Sequence, residues 1–255
     1  MSRHDPVPRT RPGPRKGTLM LRSDPPRHAV VIFSGGLDSA VTAYKLRAEK
    51  VALSLLSFNY GQRHVKELDH AANLAVQLGV AHDVVDLTSL GRILGGSALT
   101  DTAIPVPLGH YRAETMRSTV VPNRNAILLE IAAGAAVAAG ADAVAFGAHA
   151  GDHAIYPDCR PEFFTAIEKS MKAGNEGHMA VDFQLVAPFL NLTKADIVRE
   201  GARLGVPFEM TWSCYDGAEL HCGACGTCVE RREAFEEAGV SDPTSYRSAR
   251  KGAAR

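Results

Sequence analysis

The sequence predicts an α/β fold: a doubly wound parallel sheet with a small C-terminal zinc-binding knot. Three observations point there. Short apolar runs alternate with helical patterns from His28 onward, the order that produces parallel strands joined by crossover helices. A glycine turn, Ser34-Gly35-Gly36, follows the first apolar run directly. Near the C-terminus Cys214, Cys222, Cys225 and Cys228 stand at metal-ligand spacing.

At 255 residues and 45% hydrophobic content the chain can bury one large core and carry an appendage. Lys+Arg and Asp+Glu number 28 each, so no overall field draws nucleic acid or membrane. No uninterrupted apolar run is long enough for a bilayer span, and the opening segment lacks the apolar centre of a secretion signal. In such a chain five cysteines speak for metal rather than disulfides. The expected compartment is the cytoplasm.

Residues 1–27 hold six prolines and seven Arg or Lys residues and read as a disordered basic extension. Residues 28–207 read as the nucleotide and substrate domain, 208–245 as a metal-binding and helical region, and 246–255 as a mobile tail. Within the large domain the pattern predicts a strand over Val30–Phe33, a helix over Asp38–Glu49, a strand over Val51–Phe58, a helix over Val65–Leu78 and a strand over Asp83–Leu87. Residues 88–118 lack periodicity and read as a long loop, the kind that covers a site or stays mobile. A helix follows over Ala126–Ala139, with Asn125 as candidate cap. The remaining elements are a strand over Ala143–Phe146, a helix over Glu162–Met171, a strand over Gln184–Pro188, a helix over Lys194–Leu204 capped by Thr193, and a short helix over Glu230–Ala238.

The chemistry concentrates at four places. Phe33-Ser34-Gly35-Gly36-Leu37-Asp38-Ser39 combines glycines that let the backbone approach a ligand with hydroxyls and helix N–H groups that bind phosphate. Arg124 sits at the start of a helix at the ligand edge of the sheet and invites an anion. Lys194, in the first turn of another helix, is unfavourably placed unless an anion lies between it and the helix end; a phosphate would offset that cost. Asp152, Tyr156, Asp158 and Arg160 crowd the loop after the fourth strand, where ligands bind. The histidines of that loop, His149 and His153, read as surface or supporting groups. The four cysteines suit a closed tetrahedral site, hence structural zinc, with an iron–sulfur cluster as the competitor.

The string Ser34–Ser39 resembles the PP-loop of the ATP pyrophosphatases, which transfer AMP to a substrate oxygen; that likeness implies an adenine nucleotide alpha hydrolase-like fold, and Mg²⁺ held near Asp38. Tyr60-Gly61-Gln62-Arg63-His64, Val121–Asn125, Tyr156–Arg160, Ser213–Tyr215 and the cysteine triplet extend the resemblance, over about 28–240, to the 7-cyano-7-deazaguanine synthase (QueC) family. The resemblance implies conversion of 7-carboxy-7-deazaguanine and ammonium to the nitrile at the expense of two ATP, a homodimer, and zinc on Cys214, Cys222, Cys225 and Cys228. Asp38, Lys194 and Arg124 are then the candidate catalytic residues. Asp152, Tyr156, Asp158, Arg160, Gln62 and Arg63 are the candidate substrate contacts. Two departures stand out: Asn123 where many members carry Gly, and His149–Asp152 where many carry Cys-Glu-Thr-Asp. The rival readings are a tRNA-modifying thiolation enzyme, which predicts a coloured cluster and RNA affinity, and a non-catalytic nucleotide-binding protein.

Overall fold

Every strand of the sheet is parallel to its neighbours, in the order β3-β2-β1-β4-β5. The computed structural model describes residues 25–247. Most of the basic extension and most of the tail expected from the sequence lie outside the described residues; of the extension, Arg27 is described and pairs with Asp142 at 2.9 Å.

The strands are β1 (His28–Ile32), β2 (Ala52–Asn59), β3 (His82–Asp86), β4 (Ala143–Ala145) and β5 (Gln184–Val186). Helix α1 (Leu37–Ala48) links β1 to β2, and α2 (Glu67–Leu78) links β2 to β3. The chain then crosses to the far side of β1 through the short helices α3 (Thr88–Gly91) and α4 (Ala113–Met116) and the long α5 (Arg124–Ala139). Helices α6 (Pro161–Gly174), α7 (Lys194–Arg203) and α8 (Gly226–Ala238) complete the set. β1 is thus the switch point: one connection leaves it for β2 and a later one arrives at β4 on its other side. In such sheets the carboxyl end of that strand opens a crevice, and Phe33–Ser39 occupies it.

Alternation along β1 sends its side chains into two cores. Ala29 and Val31 pack with α1, α2, α7 and α8, through residues such as Leu46, Leu74, Ile197 and Phe235. Val30 and Ile32 pack with α5 and α6, through Leu129, Ala132 and Phe164. A sheet covered on both faces reads as continuous apolar runs, which is why β1 shows no polar alternation. Removing a fully buried leucine such as Leu74 from this packing is expected to cost about 2–5 kcal/mol.

Two local features position the crevice. Gly35 has φ of 77°, and a Cβ there would collide with the carbonyl of Glu67 and the backbone of Ala71. Glycine lets α2 rest directly on the turn. At α5 the cap differs from the sequence expectation: Asn123, not Asn125, stands before the first turn, with φ of 57°. Asn is the non-glycine residue best suited to that left-handed conformation. Asn125 instead lies inside the helix, buried, its side-chain amide donating to Cys159 Sγ at 3.3 Å.

Candidate functional site

One cleft at the carboxyl edge of the sheet, about 1190 Å³ including its open mouth, is lined by Phe33, Ser34, Gly36, Leu37, Asp38 and Ser39 on one side. Gly35, between these residues, faces α2 instead and does not line the space.

The first compartment gathers hydroxyls and helix N–H groups of the kind that bind phosphate. Ser34 Oγ accepts from Gly36 N at 3.2 Å and lies 3.2 Å from Ser39 Oγ, which donates to Gly36 O at 3.0 Å. Thr193 caps α7 in a reciprocal box with Asp196, and Lys194 follows at once. Its Nζ lies 2.7 Å from Asp38 Oδ2 and 3.3 Å from Glu230 Oε2. The cation that the sequence leaves in need of an anion therefore has two carboxylates already. Burial works against its charge, but Asp38, Glu230 and Asp152 outweigh burial and hold its pKa above the usual lysine value. Glu230 is itself pushed up by burial, with Lys194 opposing. Asp38 Oδ1 is buried without a hydrogen-bond partner, a donor set suited to a hard cation.

His149, expected at the surface or in a supporting place, is 1% exposed. Its Nδ1 accepts from Gly151 N at 3.1 Å, and its Nε2 lies 3.4 Å from Lys194 Nζ, 3.6 Å from Asp152 Oδ2 and 3.8 Å from Glu230 Oε1. The departure at 149–152 thus lies behind Lys194 and Glu230, as part of their packing.

The second compartment is aromatic. Tyr60, Tyr111, Tyr156 and Tyr215 line it together with Arg124, His64 and Glu67. Tyr156 shares a 2.7 Å hydroxyl contact with Thr119, and Asp152 Oδ1 accepts from Tyr111 at 3.2 Å. Arg124 approaches Tyr60 Oη at 3.4 Å and Asn125 Oδ1 at 3.2 Å; among the described residues it forms no salt bridge. Burial pushes the Glu67 carboxyl up to about 7 and the His64 imidazole down to about 3.

Four of the sequence-predicted substrate contacts lie off the cleft wall. Gln62 is 3% exposed and spends its amide on Tyr60 N, Phe58 O and Glu67 Oε1. Arg63 donates to the carbonyls of Asp101 and Ile104, both at 3.0 Å, and so pins the long loop. Asp158 accepts from Asn125 N at 3.4 Å, at the start of α5. Arg160 donates to His153 O at 2.8 Å and is exposed. Each has a local partner that sequence spacing did not reveal. Asp152 and Tyr156 do line the cleft. Sequence reasoning missed Glu67 and Glu230, both on helix faces that look solvent-exposed in the sequence; their only signal is position, after the Tyr60–His64 turn and two residues beyond Cys228.

The cysteines close a separate site beside the phosphate compartment. All four Sγ atoms lie within 4.8 Å of one another, with Cys222 to Cys228 at 3.9 Å and Cys225 to Cys214 at 4.0 Å. A tetrahedral ion with sulfur at about 2.3 Å has edges of about 3.8 Å, so one ion fits the gap. His221 Nε2 accepts from Ser213 N at 3.1 Å and is turned to that task. Two links join this knot to the cleft: Trp212 N donates to Gly35 O at 2.9 Å, and α8, which begins among the cysteines, carries Glu230. Arg231 beside it is fully buried, donating to Thr211 Oγ1, Ser213 Oγ, Phe208 O and Asp242 Oδ1.

A family profile described as "Queuosine biosynthesis protein QueC" matches residues 28–239. Curated relatives named 7-cyano-7-deazaguanine synthase from Brucella ovis and Brucella suis are each 58% identical over 220 residues, covering 86% of this chain and 94% of theirs. Among solved structures, the U34-tRNA thiolase NcsA of Methanococcus maripaludis, with its [4Fe-4S] cluster, aligns with TM-score 0.47 and 15% identity, covering 91% of this chain and 77% of that one. NMN synthetase from Francisella tularensis aligns with TM-score 0.44 and 16% identity, covering 85% and 74%.

Proposed function

Because the chain belongs to the QueC family of queuosine biosynthesis proteins, we propose that its cleft joins ATP-driven activation to a deazapurine acid in one space. The chain is a ligase that makes 7-cyano-7-deazaguanine; the thiolation and binding-only alternatives are not favoured. One observation carries the assignment of the steps to residues: Asp38 and Lys194, beside the Ser34–Ser39 turn, share a cleft with an aromatic compartment holding Arg124.

A carboxylate resists nitrogen nucleophiles until one oxygen becomes a leaving group. The acid's oxygen attacks the α-phosphorus of ATP; pyrophosphate leaves into the N–H and hydroxyl cradle of Ser34, Gly36 and Ser39, and an acyl adenylate forms. Ammonia attacks the acyl carbon, a proton is lost, and AMP departs to leave the amide. The amide oxygen then attacks a second ATP in the same way, and loss of AMP and protons gives the nitrile. Lys194 supplies charge where the phosphate bonds break, and Arg124 orients the acid's carboxylate. Mg²⁺, held at Asp38, would shield the triphosphate. The residues act by position and charge, with no covalent enzyme intermediate. The Cys159 thiol, which lines the cleft, is held well above the usual thiol range by burial and serves no nucleophilic role.

The four-thiol knot is assigned a single zinc ion, since an iron–sulfur cluster spreads its thiolates over separate irons and needs a wider cage. Elemental analysis should return one zinc per chain and no iron; iron with a coloured protein would overturn this. The cytoplasm and a homodimer are the expected setting, the latter checked by light scattering. No helix among the described residues is long and apolar enough to cross a membrane.

The decisive experiment incubates the protein with 7-carboxy-7-deazaguanine, ammonium, Mg²⁺ and ATP, following nitrile and AMP by mass spectrometry. Two AMP per nitrile, abolished in Asp38→Ala, is the expected result. Nitrile without AMP would defeat the adenylation scheme.

A further inference from the structure

We propose that Glu67 is the specificity-determining carboxylate of the aromatic compartment, accepting the amino and ring N–H donors on the guanine-like edge of the deazapurine. The inference rests on the substrate class proposed above and goes beyond it by naming the group that reads the base.

The geometry singles out this carboxylate among those of the cleft. Asp38 has one oxygen on Lys194 at 2.7 Å, and its other oxygen, buried without a partner, belongs to the Ser34–Ser39 turn and not to the aromatic compartment. Glu230 faces Lys194 and His149. Asp152 has one oxygen on the Tyr111 hydroxyl and the other on His149 N. Glu67 is different: Oε1 accepts from Gln62 Nε2 at 3.1 Å, while Oε2 has no hydrogen bond among the described residues, its nearest donor being His64 Nε2 at 3.6 Å. The side chain is 13% exposed and lines the cleft. On the same wall His64 Nδ1 is buried without a partner. A pair of unspent polar groups in an otherwise aromatic pocket is costly unless a ligand completes them.

The ligand that completes them is planar and bears adjacent N–H donors. Tyr60, Tyr156 and Tyr215 supply flat apolar walls. The guanine-type edge presents two parallel donors, which a carboxylate accepts together. Its acid substituent stands on the other ring of the bicycle, and Arg124, with no salt bridge among the described residues, is the cation available to it. Gln62 then has a clear function: its amide, locked by Tyr60 N and Phe58 O, fixes the rotamer of Glu67.

The test is calorimetric binding of 7-carboxy-7-deazaguanine, of its analogue lacking the 2-amino group, and of ATP, to the full chain with its metal. Wild-type protein is expected to prefer the amino-bearing base by about tenfold or more, since a site built for a donor rejects the ligand that lacks it. Glu67→Gln, nearly isosteric and able to keep the Gln62 contact through its amide oxygen, should bring that preference to within about twofold and leave ATP affinity unchanged. Glu67→Asp, which keeps the charge, should retain the preference at weaker affinity. No preference in wild type, an unchanged preference in Glu67→Gln, or a loss that falls on ATP would each overturn the assignment. Activity separates the two readings. Base preference abolished by Glu67→Gln in a protein that makes no nitrile would sink the proposed reaction alone. Nitrile formation with an unaltered preference would sink the Glu67 assignment alone.

Discussion

The two compartments of the cleft treat charge in opposite ways. In the phosphate compartment Lys194 already has Asp38 and Glu230 as partners at 2.7 and 3.3 Å before any ligand arrives. In the aromatic compartment Arg124 has only hydroxyl and amide partners, and Glu67 keeps one oxygen free. The first is preorganised, so its groups gain from a ligand by exchanging one partner for another. The second is incomplete, so its groups gain outright. Chemistry common to every adenylating enzyme of this type can use a prebuilt cradle, whereas selection of one base needs groups that stay unsatisfied with the wrong one.

That contrast can be broken most severely at Lys194. Lys194→Ala should lower the rate of AMP release by about 10²-fold or more, the scale for losing a preorganised charge at a reacting centre; a change under threefold would show that the cradle works without it. Arg124→Ala, at the other end, should act on binding instead. The expected outcome is a rise of about 10–100-fold in KM for the acid with KM for ATP within twofold, read from steady-state AMP release. Glu230→Gln sharpens the comparison. It keeps the shape but removes one of the two counter-charges of Lys194, so kcat should fall about tenfold while metal content, measured by elemental analysis, stays at the wild-type value.

The smallest effect is on stability. Glu67 has an ordinary value of 4.5 and is pushed up to about 7 in the fold. Between those values the folded chain holds a proton on Glu67 that the unfolded chain has released, so the contribution of Glu67 to stability falls as pH rises through this window and levels off above about 7. His64, pushed down to about 3, contributes the opposite slope below its ordinary value of 6.5, but it does so in wild type and in Glu67→Gln alike, so the difference between the two proteins isolates Glu67. Wild type should lose on the order of 2–3 kcal/mol relative to Glu67→Gln between pH 4.5 and 7, measured by urea unfolding. A parallel pH dependence in both proteins would remove Glu67 as the cause.

Legibility followed locality. The apolar runs became β1 and β2 within one or two residues, because a strand buried on both faces writes itself as a continuous run, and β3, an edge strand with mostly exposed side chains, fell within one residue of its expected place. The Ser34–Ser39 turn and the cysteine spacing were equally plain, since each is a contiguous piece of chain whose residues act together. What stayed hidden depends on distant segments. Nothing near Glu67 announces that Gln62 folds over it, and nothing near Glu230 announces Lys194, 36 positions away in the chain. For Asp158 and Arg160 the hidden partners are backbone groups, Asn125 N and His153 O. The long segment after β3 read as one loop, yet it holds the two short helices α3 and α4.

The long segment is also held by more than its ends. Arg63 grips the carbonyls of Asp101 and Ile104, Gly109 N donates to Ala224 O at 2.8 Å, and Leu108 pairs with Cys225 in an isolated bridge. A protease that cut the peptide between Ile104 and Leu108 would leave each new end pinned within its own fragment, while the pairing of β1 with β4 and the bond from Trp212 N to Gly35 O hold the two fragments together. The nicked molecule would then separate into two bands under denaturing electrophoresis yet migrate as one particle in gel filtration, so integrity of the covalent chain and integrity of the cleft are separate properties in this protein.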